Sequence, residues 1–332
     1  MERFVFVAAV TLAIIFGVGA MFGGAFFHMS GDWDWDVEAR GIAPVVAVAP
    51  GNMESQAYVG RDLRLKNVAA NIVITPEDRS DFLVEIANPA GRAPMPLVSS
   101  EDGRVTIDGQ LRGRIQRCTD GGGAALREYG DLTAEELPTI TIRAPRDLRV
   151  DRGGAGSLEI GATESLNLDF SSCGSANVGD VAGELDIDLA GSGRVSAGAA
   201  RSLNADVAGA GELSVGVIAG GANVDIAGSG TVRIASLTGD LNTDGAGSGN
   251  LIVESGSIDE ANIDLAGSGD VDIAAPVRRL EVSIVGSGDV DVTAEVGDID
   301  ADIAGSGSVR ARSVTGTISR EIWGSGDVSV GG

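Results

Sequence analysis

From about residue 148 to residue 330 the chain alternates apolar and polar residues in short bursts separated by Gly-x-Gly. "DLAGSGDVDI" at 264–273 and "SIVGSGDVDV" at 283–292 show the pattern. The first Gly of each pair serves as a marker: Gly154, Gly191, Gly209, Gly228, Gly247, Gly267, Gly286, Gly305 and Gly324. The double gap after Gly154 is filled by "DFSSCGSANV" at 169–178, with Ser172 in the first Gly position and Cys173 in the middle one. The ten markers follow one another at 18–20 residues, a period that belongs to stacked repeats.

Columns down the repeat give the element type. Four residues after each marker stands an aliphatic residue, from Leu158 and Ala176 to Val309 and Val328; six after it runs a second apolar column, from Ile160 to Val330. Two before it lie Phe170, Leu189, Val207, Ile226, Leu265, Ile284, Ile303 and Ile322. The residues between these columns are mostly polar. Period-two alternation predicts strands with one buried face, and no window keeps a helical period. Each coil therefore reads as strand, corner, strand and a turn of about six residues. One coil cannot bury its own inner face, but stacked coils build a continuous core. The expected fold is all-β: a parallel β-helix of about ten coils, roughly 48 Å long at about 4.8 Å per strand. Its corners are Gly191 and Gly193, Gly228 and Gly230, Gly247 and Gly249, Gly267 and Gly269, Gly286 and Gly288, Gly305 and Gly307, and Gly324 and Gly326. Glycine suits a corner that needs positive φ and close backbone approach.

Four segments follow from the composition. Residues 4–27 carry no charge, and at about 1.5 Å per residue such a helix spans roughly 36 Å, enough for a bilayer. Residues 1–29 thus read as an N-terminal apolar helix, either an uncleaved signal anchor or a cleaved signal peptide, with the small-residue sites at Gly19-Ala20 and Gly24-Ala25 permitting cleavage. Residues 30–56 read as an acidic linker whose Trp33 and Trp35 either rest at lipid headgroups or are simply solvated. Residues 57–147 keep strand patterning without the corner and are expected to form irregular first coils or a cap, with a loop insertion at 111–137 that includes one helical turn. Residues 148–332 are the repetitive β-helix.

Charge and rare residues narrow the chemistry. The formal charge is −24, and Lys66 is the only lysine. This disfavours nucleic acid and anionic lipid and favours cations, basic proteins or plain solubility. The single histidine, His28, lies at the end of the apolar stretch, so the rest of the chain has no imidazole for a nucleophile pair or metal ligation. The corners are not a dinucleotide loop, because the third Gly position holds residues such as Arg233, Asp272 and Asp291. No cofactor is expected. Cys118 and Cys173 in an exported chain point to a disulfide, the alternative being two thiols.

Three residues before the markers runs an acidic column: Asp151, Asp169, Asp188, Asp206, Asp225, Asp244, Asp264, Ser283, Asp302 and Glu321. Two residues earlier stand Asn167, Asn204, Asn223, Asn242 and Asn262, interrupted by Asp186 and Asp300. Parity puts both columns outside. Neighbouring carboxylates about 4.8 Å apart repel by roughly 0.9 kcal/mol in water. Asparagine ladders and hydrogen bonds can moderate this; bound calcium along Asp188, Asp206, Asp225, Asp244 and Asp264 is the less favoured alternative. A catalytic reading places Asp270, Asp272, Asp289 and Asp291, near Arg233 and Arg310, in a polysaccharide lyase or hydrolase. Strict repetition speaks against it, since catalysis needs one non-repeating cluster. No catalytic residue is assigned.

The chain resembles the GIN-domain family, the auto-transporter adhesin head domains, through "RDLRLKNVAANIVITPEDRSDFLVEI", "LPTITIRAPRDLRVDRGGAGSLEI" and the succession of "AGSGDVDI"-like units, over roughly residues 57–330. The resemblance implies an exported β-helical bacterial protein, usually of unassigned function. The expected protein is non-enzymatic: an adhesin-like, scaffold or spacer solenoid of the cell envelope, held to the inner membrane through residues 4–27 and facing the periplasm. A polysaccharide-binding or polysaccharide-degrading β-helix is the alternative. A glycan is one expected partner. Another is a second copy or an envelope protein at the C-terminal end, where "GSGDVSVGG" closes the repeat.

Overall fold

The computed structural model describes residues 48–119 and 121–331, all within one compact unit. The expected apolar helix, the signal or anchor reading, and most of the acidic linker lie outside the described residues. Among the described residues no helix is long and apolar enough to cross a membrane.

The repeat is a parallel β-solenoid. The strand before the corner in one coil pairs in parallel with its counterpart in the next: Glu184–Gly191 with Ser202–Gly209, and that strand with Ala222–Gly228. The register is unbroken, so Asp188, Asp206 and Asp225 stand side by side, as do Gly191, Gly209 and Gly228. The strand after the corner stacks in the same way, from Ser157–Ile160 to Asp327–Val330. The alternating apolar residues point inward and merge into one core that runs from Leu63 to Val328. Close packing of such layers is what makes each aliphatic position costly to alter.

The segment expected to be a turn is a third wall. Val181, Ala200, Ile218, Leu237, Ile258, Val277 and Val296 are all buried there, and Ile218 pairs with Leu237. Two coils run straight through it as single 17-residue strands, Thr231–Gly247 and Asp289–Gly305. Most coils contribute only one inward residue to this wall, which is too short a run for alternation to show.

The corner is built on backbone stacking. At Gly286 φ is +139°, and a Cβ there would overlap the carbonyl oxygen of Gly267 in the coil beneath. An L side chain meets both penalties at once, so glycine is required by conformation and by space.

Residues 57–147 start the solenoid rather than standing apart from it. Asp62–Ala69 pairs in parallel with Asp147–Ala155 on one side and Arg104–Asp108 on the other. Asn71–Glu77 likewise pairs with Thr139–Pro145 and Ser157–Ile160. Gly51–Val59 and Thr139–Pro145 flank Asp81–Asn88, both antiparallel to it. The strand Gly51–Val59 also takes in the end of the stretch read as linker. The insertion corrects the expected loop: Ile115–Thr119, Gly123–Leu126 and Gly130–Leu132 form a three-stranded antiparallel sheet. The helical turn is 3-10, at Ala134–Glu136, where the Glu136 carboxylate accepts the Thr133 N–H at 3.1 Å. These strands are too short and too rich in Gly and Ala to announce themselves by pattern. They close over a second small core of Leu111, Leu126, Tyr129, Leu132 and Leu137, and Cys118 is joined to Cys173 at the second corner, with Cα atoms 5.7 Å apart.

Candidate functional site: the asparagine–aspartate face and its arginine end

The strand before the corner presents three outward positions per coil, and stacking turns each into a line. The outermost line is an asparagine ladder. Asn223 Nδ2 donates to Asn204 Oδ1 at 2.8 Å, Asn242 to Asn223 at 2.9 Å and Asn262 to Asn242 at 3.0 Å. The ladder is anchored where Asn204 donates to Glu184 at 2.7 Å, and Asn167 donates to Asp186. The line nearest the corner is mostly alanine, at Ala190, Ala208, Ala227, Ala246, Ala266 and Ala304, with Val285 within it and Trp323 at its end. Between them runs the aspartate line.

Flanked on both sides, these aspartates are only partly hydrated. Burial raises the pKa of Asp188, Asp206, Asp225, Asp244 and Asp264, and for Asp206, Asp225 and Asp244 the charge of the next aspartate raises it further. Asp169 is pushed up to about 6, by burial first and then by its hydrogen bond to Asp188. The five positions named for calcium form a line with one carboxylate per coil. Among the described residues no group of three or more His, Cys, Asp or Glu is placed to hold a metal ion.

The acids after the corner do a different job. Asp270 accepts the backbone N–H of Asp289 at 3.0 Å, and Asp289 accepts that of Ser308 at 2.9 Å. Arg310 reaches Asp289 at 3.1 Å and Asp291 at 3.4 Å. Burial alone would raise Asp289, but Ser308 and Arg310 hold it below the usual carboxylate range. Asp272 lies beside Asp291 in register and is raised by burial and by the charges of Asp291 and Asp270. Arg233 does not join them; it pairs with Glu254 at 2.8 Å. The structure therefore brings Asp270, Asp289, Asp291 and Arg310 together as links between coils.

One non-repeating cluster was not legible in the repeat. Where the first coils meet the ladder, Arg64 pairs with Asp151 at 3.0 Å and Arg104 lies 3.8 Å from Asp62. Arg149 Nε donates to Asn167 Oδ1 at 3.1 Å. Arg64 and Arg104 come from early strands without the Gly-x-Gly marker and Arg149 from the first marked coil, so no spacing links the three. They wall a cavity of about 360 Å³ over Asp151, Asp169 and Asp188.

A parallel solenoid with a hydrogen-bonded outer ladder is thus the class of protein that these residues define. The family model described as "Putative auto-transporter adhesin, head GIN domain" matches residues 216–313 and, in a second overlapping register, 241–332. The match spans the last six coils, with markers from Gly228 to Gly324, and it is to the family that the sequence resembles. Similar solved structures include a "putative adhesin" from Parabacteroides distasonis (13% identity, 85% of this chain and 97% of that chain, TM-score 0.41). A "putative lipid binding protein" from the same organism is 17% identical over 83% of this chain and 96% of that one, with a TM-score of 0.36. A "putative adhesin" from Parabacteroides merdae is 13% identical over 86% and 97%, with a TM-score of 0.34. No curated protein matches the chain.

Proposed function

We propose that this is a non-enzymatic, exported protein of the bacterial cell envelope, an adhesin-like solenoid that holds a binding surface on a stiff rod. The observation that carries the reading is how the outer carboxylates and amides are used. Coil after coil they bond along the axis, to the next asparagine or the next backbone N–H. Polar groups fixed in this way stiffen the rod. The GIN-domain match of the last coils supports the adhesin-like assignment, and the uncharged stretch at 4–27 supports attachment to the inner membrane with the solenoid on the periplasmic side.

Beads carrying the full chain, mixed with whole bacterial and epithelial cells, test this reading. Retention well above that of albumin-coated beads is expected on at least one cell type. Retention no greater than albumin on every cell type would overturn it. So would cleavage of acidic or neutral polysaccharides by the purified chain, with or without calcium.

A further inference from the structure

We infer that the cavity at the arginine end of the outer face is a binding site for a neutral, hydroxyl-rich ligand, a saccharide unit. The inference rests on the adhesin-like reading and names what such a surface would hold.

Position singles the cavity out. From Asp206 to Asp264 the aspartate line is flanked only by asparagine on one side and alanine on the other, by the register of the strands. At Asp151 and Asp169 the same line meets three guanidinium groups instead, and a cavity of about 360 Å³ opens there. From Asp151 to Asp264 the face meets guanidinium groups only at this end.

Charge then restricts the ligand. Arg64, Arg104 and Arg149 face Asp62, Asp151, Asp169 and Asp188 around one small volume. All lie well within a Debye length of about 8–10 Å of anything bound there. An anion would meet four carboxylates and a cation three guanidiniums, so neither sign of ion is favoured. A hydroxyl group is favoured, because it donates to a carboxylate and accepts from a guanidinium at the same time.

The donors and acceptors are also held in place before any ligand arrives. Arg64 is fixed through Nε to Asp151 and Arg149 through Nε to Asn167, so the N–H groups on Nη1 and Nη2 are not used in these bonds. Pre-ordered groups lose less freedom when they bind. Asp169, raised to about 6 by burial and Asp188, also carries its proton in a fraction of molecules near neutral pH and then donates as well as accepts.

Titration calorimetry of the full chain in a sugar-free detergent tests the inference. The probes are neutral trisaccharides of glucose, galactose, mannose and N-acetylglucosamine. At least one should bind saturably at one site, with affinity weakened at least tenfold in Arg149→Ala and unchanged in Asp264→Asn, which alters the ladder outside the cavity. Arg104→Ala gives a second reading should Arg149→Ala melt early. Absence of saturable binding by all four, or wild-type affinity in a folded arginine variant, would overturn the site. Because cell retention of coated beads is read separately, the site can fail while the adhesin-like reading stands.

Discussion

Asp225 and Asp244 stand directly opposite each other on neighbouring coils, in parallel register, Asp225 exposed and Asp244 partly covered. Burial and then the charge of Asp244 push Asp225 up, and Asp225 in its acid form donates to the Asp244 carboxylate. The pair is one step of a ladder whose members from Asp151 to Asp264 are all raised.

A raised carboxyl pKa means that the folded chain binds protons before the unfolded chain does. The ladder therefore destabilises the fold when fully charged, and acidification relieves it. Relief begins near pH 6, the value for Asp169, and is complete near the unfolded value of about 3.9. Below that, Asp108, Asp289 and Asp298, whose pKa values are lowered, lose their own contributions. The denaturation midpoint should be higher at pH 5 than at pH 8, and Asp225→Asn with Asp244→Asn should flatten the difference. A midpoint that falls from pH 8 to pH 5 would contradict the ladder as described.

Corner glycines differ in what they prevent. Gly286→Ala meets a positive φ and overlap with the Gly267 carbonyl, whereas Gly191→Ala meets a positive φ of +99° with nothing within 4 Å of the new Cβ. The second change should cost about 1–2 kcal/mol from backbone strain alone, and the first clearly more. Urea melts of the two variants side by side make the comparison; equal losses would mean that stacking does not crowd the corner.

Thr243 is the weak point of the inner face. It is 4% exposed, and its Oγ1 has no hydrogen-bond partner, at a position where neighbouring coils carry Val224 and Ile263. A buried unpaired hydroxyl costs about 1–3 kcal/mol. Thr243→Val keeps the shape and removes the hydroxyl, so it should stabilise the chain by about 1 kcal/mol in the same melts. A loss of stability would mean that the hydroxyl has a partner.

The Cys118–Cys173 bond closes a separation of 55 residues and ties the inserted sheet to the second corner. Replacing both with serine should lower stability by about 2–4 kcal/mol. Hydrogen exchange should rise first in Ile115–Leu132, which has its own small core. Unchanged exchange in that segment would show that its apolar contacts alone hold it.

Much of the solenoid could be read from residues alone because each coil repeats the same answer. Val290 and Asp291 sit where the alternation puts them, inside and outside, and the Gly-x-Gly marker fixes the register that aligns Asn204, Asn223 and Asn242. The third wall escaped because most coils give it a single inward residue, such as Leu237, too short a run to set a period. The arginine cavity escaped for a related reason. Arg64 and Arg104 lie in strands that lack the marker, and they meet Arg149, five residues before Gly154, only through long-range strand pairing.

The central claim is that one alternation decides inside and outside on every coil, so that the acids are outer links and the aliphatics are the core. Val271 and Asp272 are adjacent in the chain and opposite in this respect, with Val271 1% exposed and Asp272 outside. The most direct measurement is the pair of unfolding free energies for Val271→Asp and Asp272→Val at pH 7. Burial of an unpaired charge should cost the first variant more than about 3 kcal/mol, while the second should stay within about 0.5 kcal/mol of the parent. Comparable losses in the two variants would contradict the account.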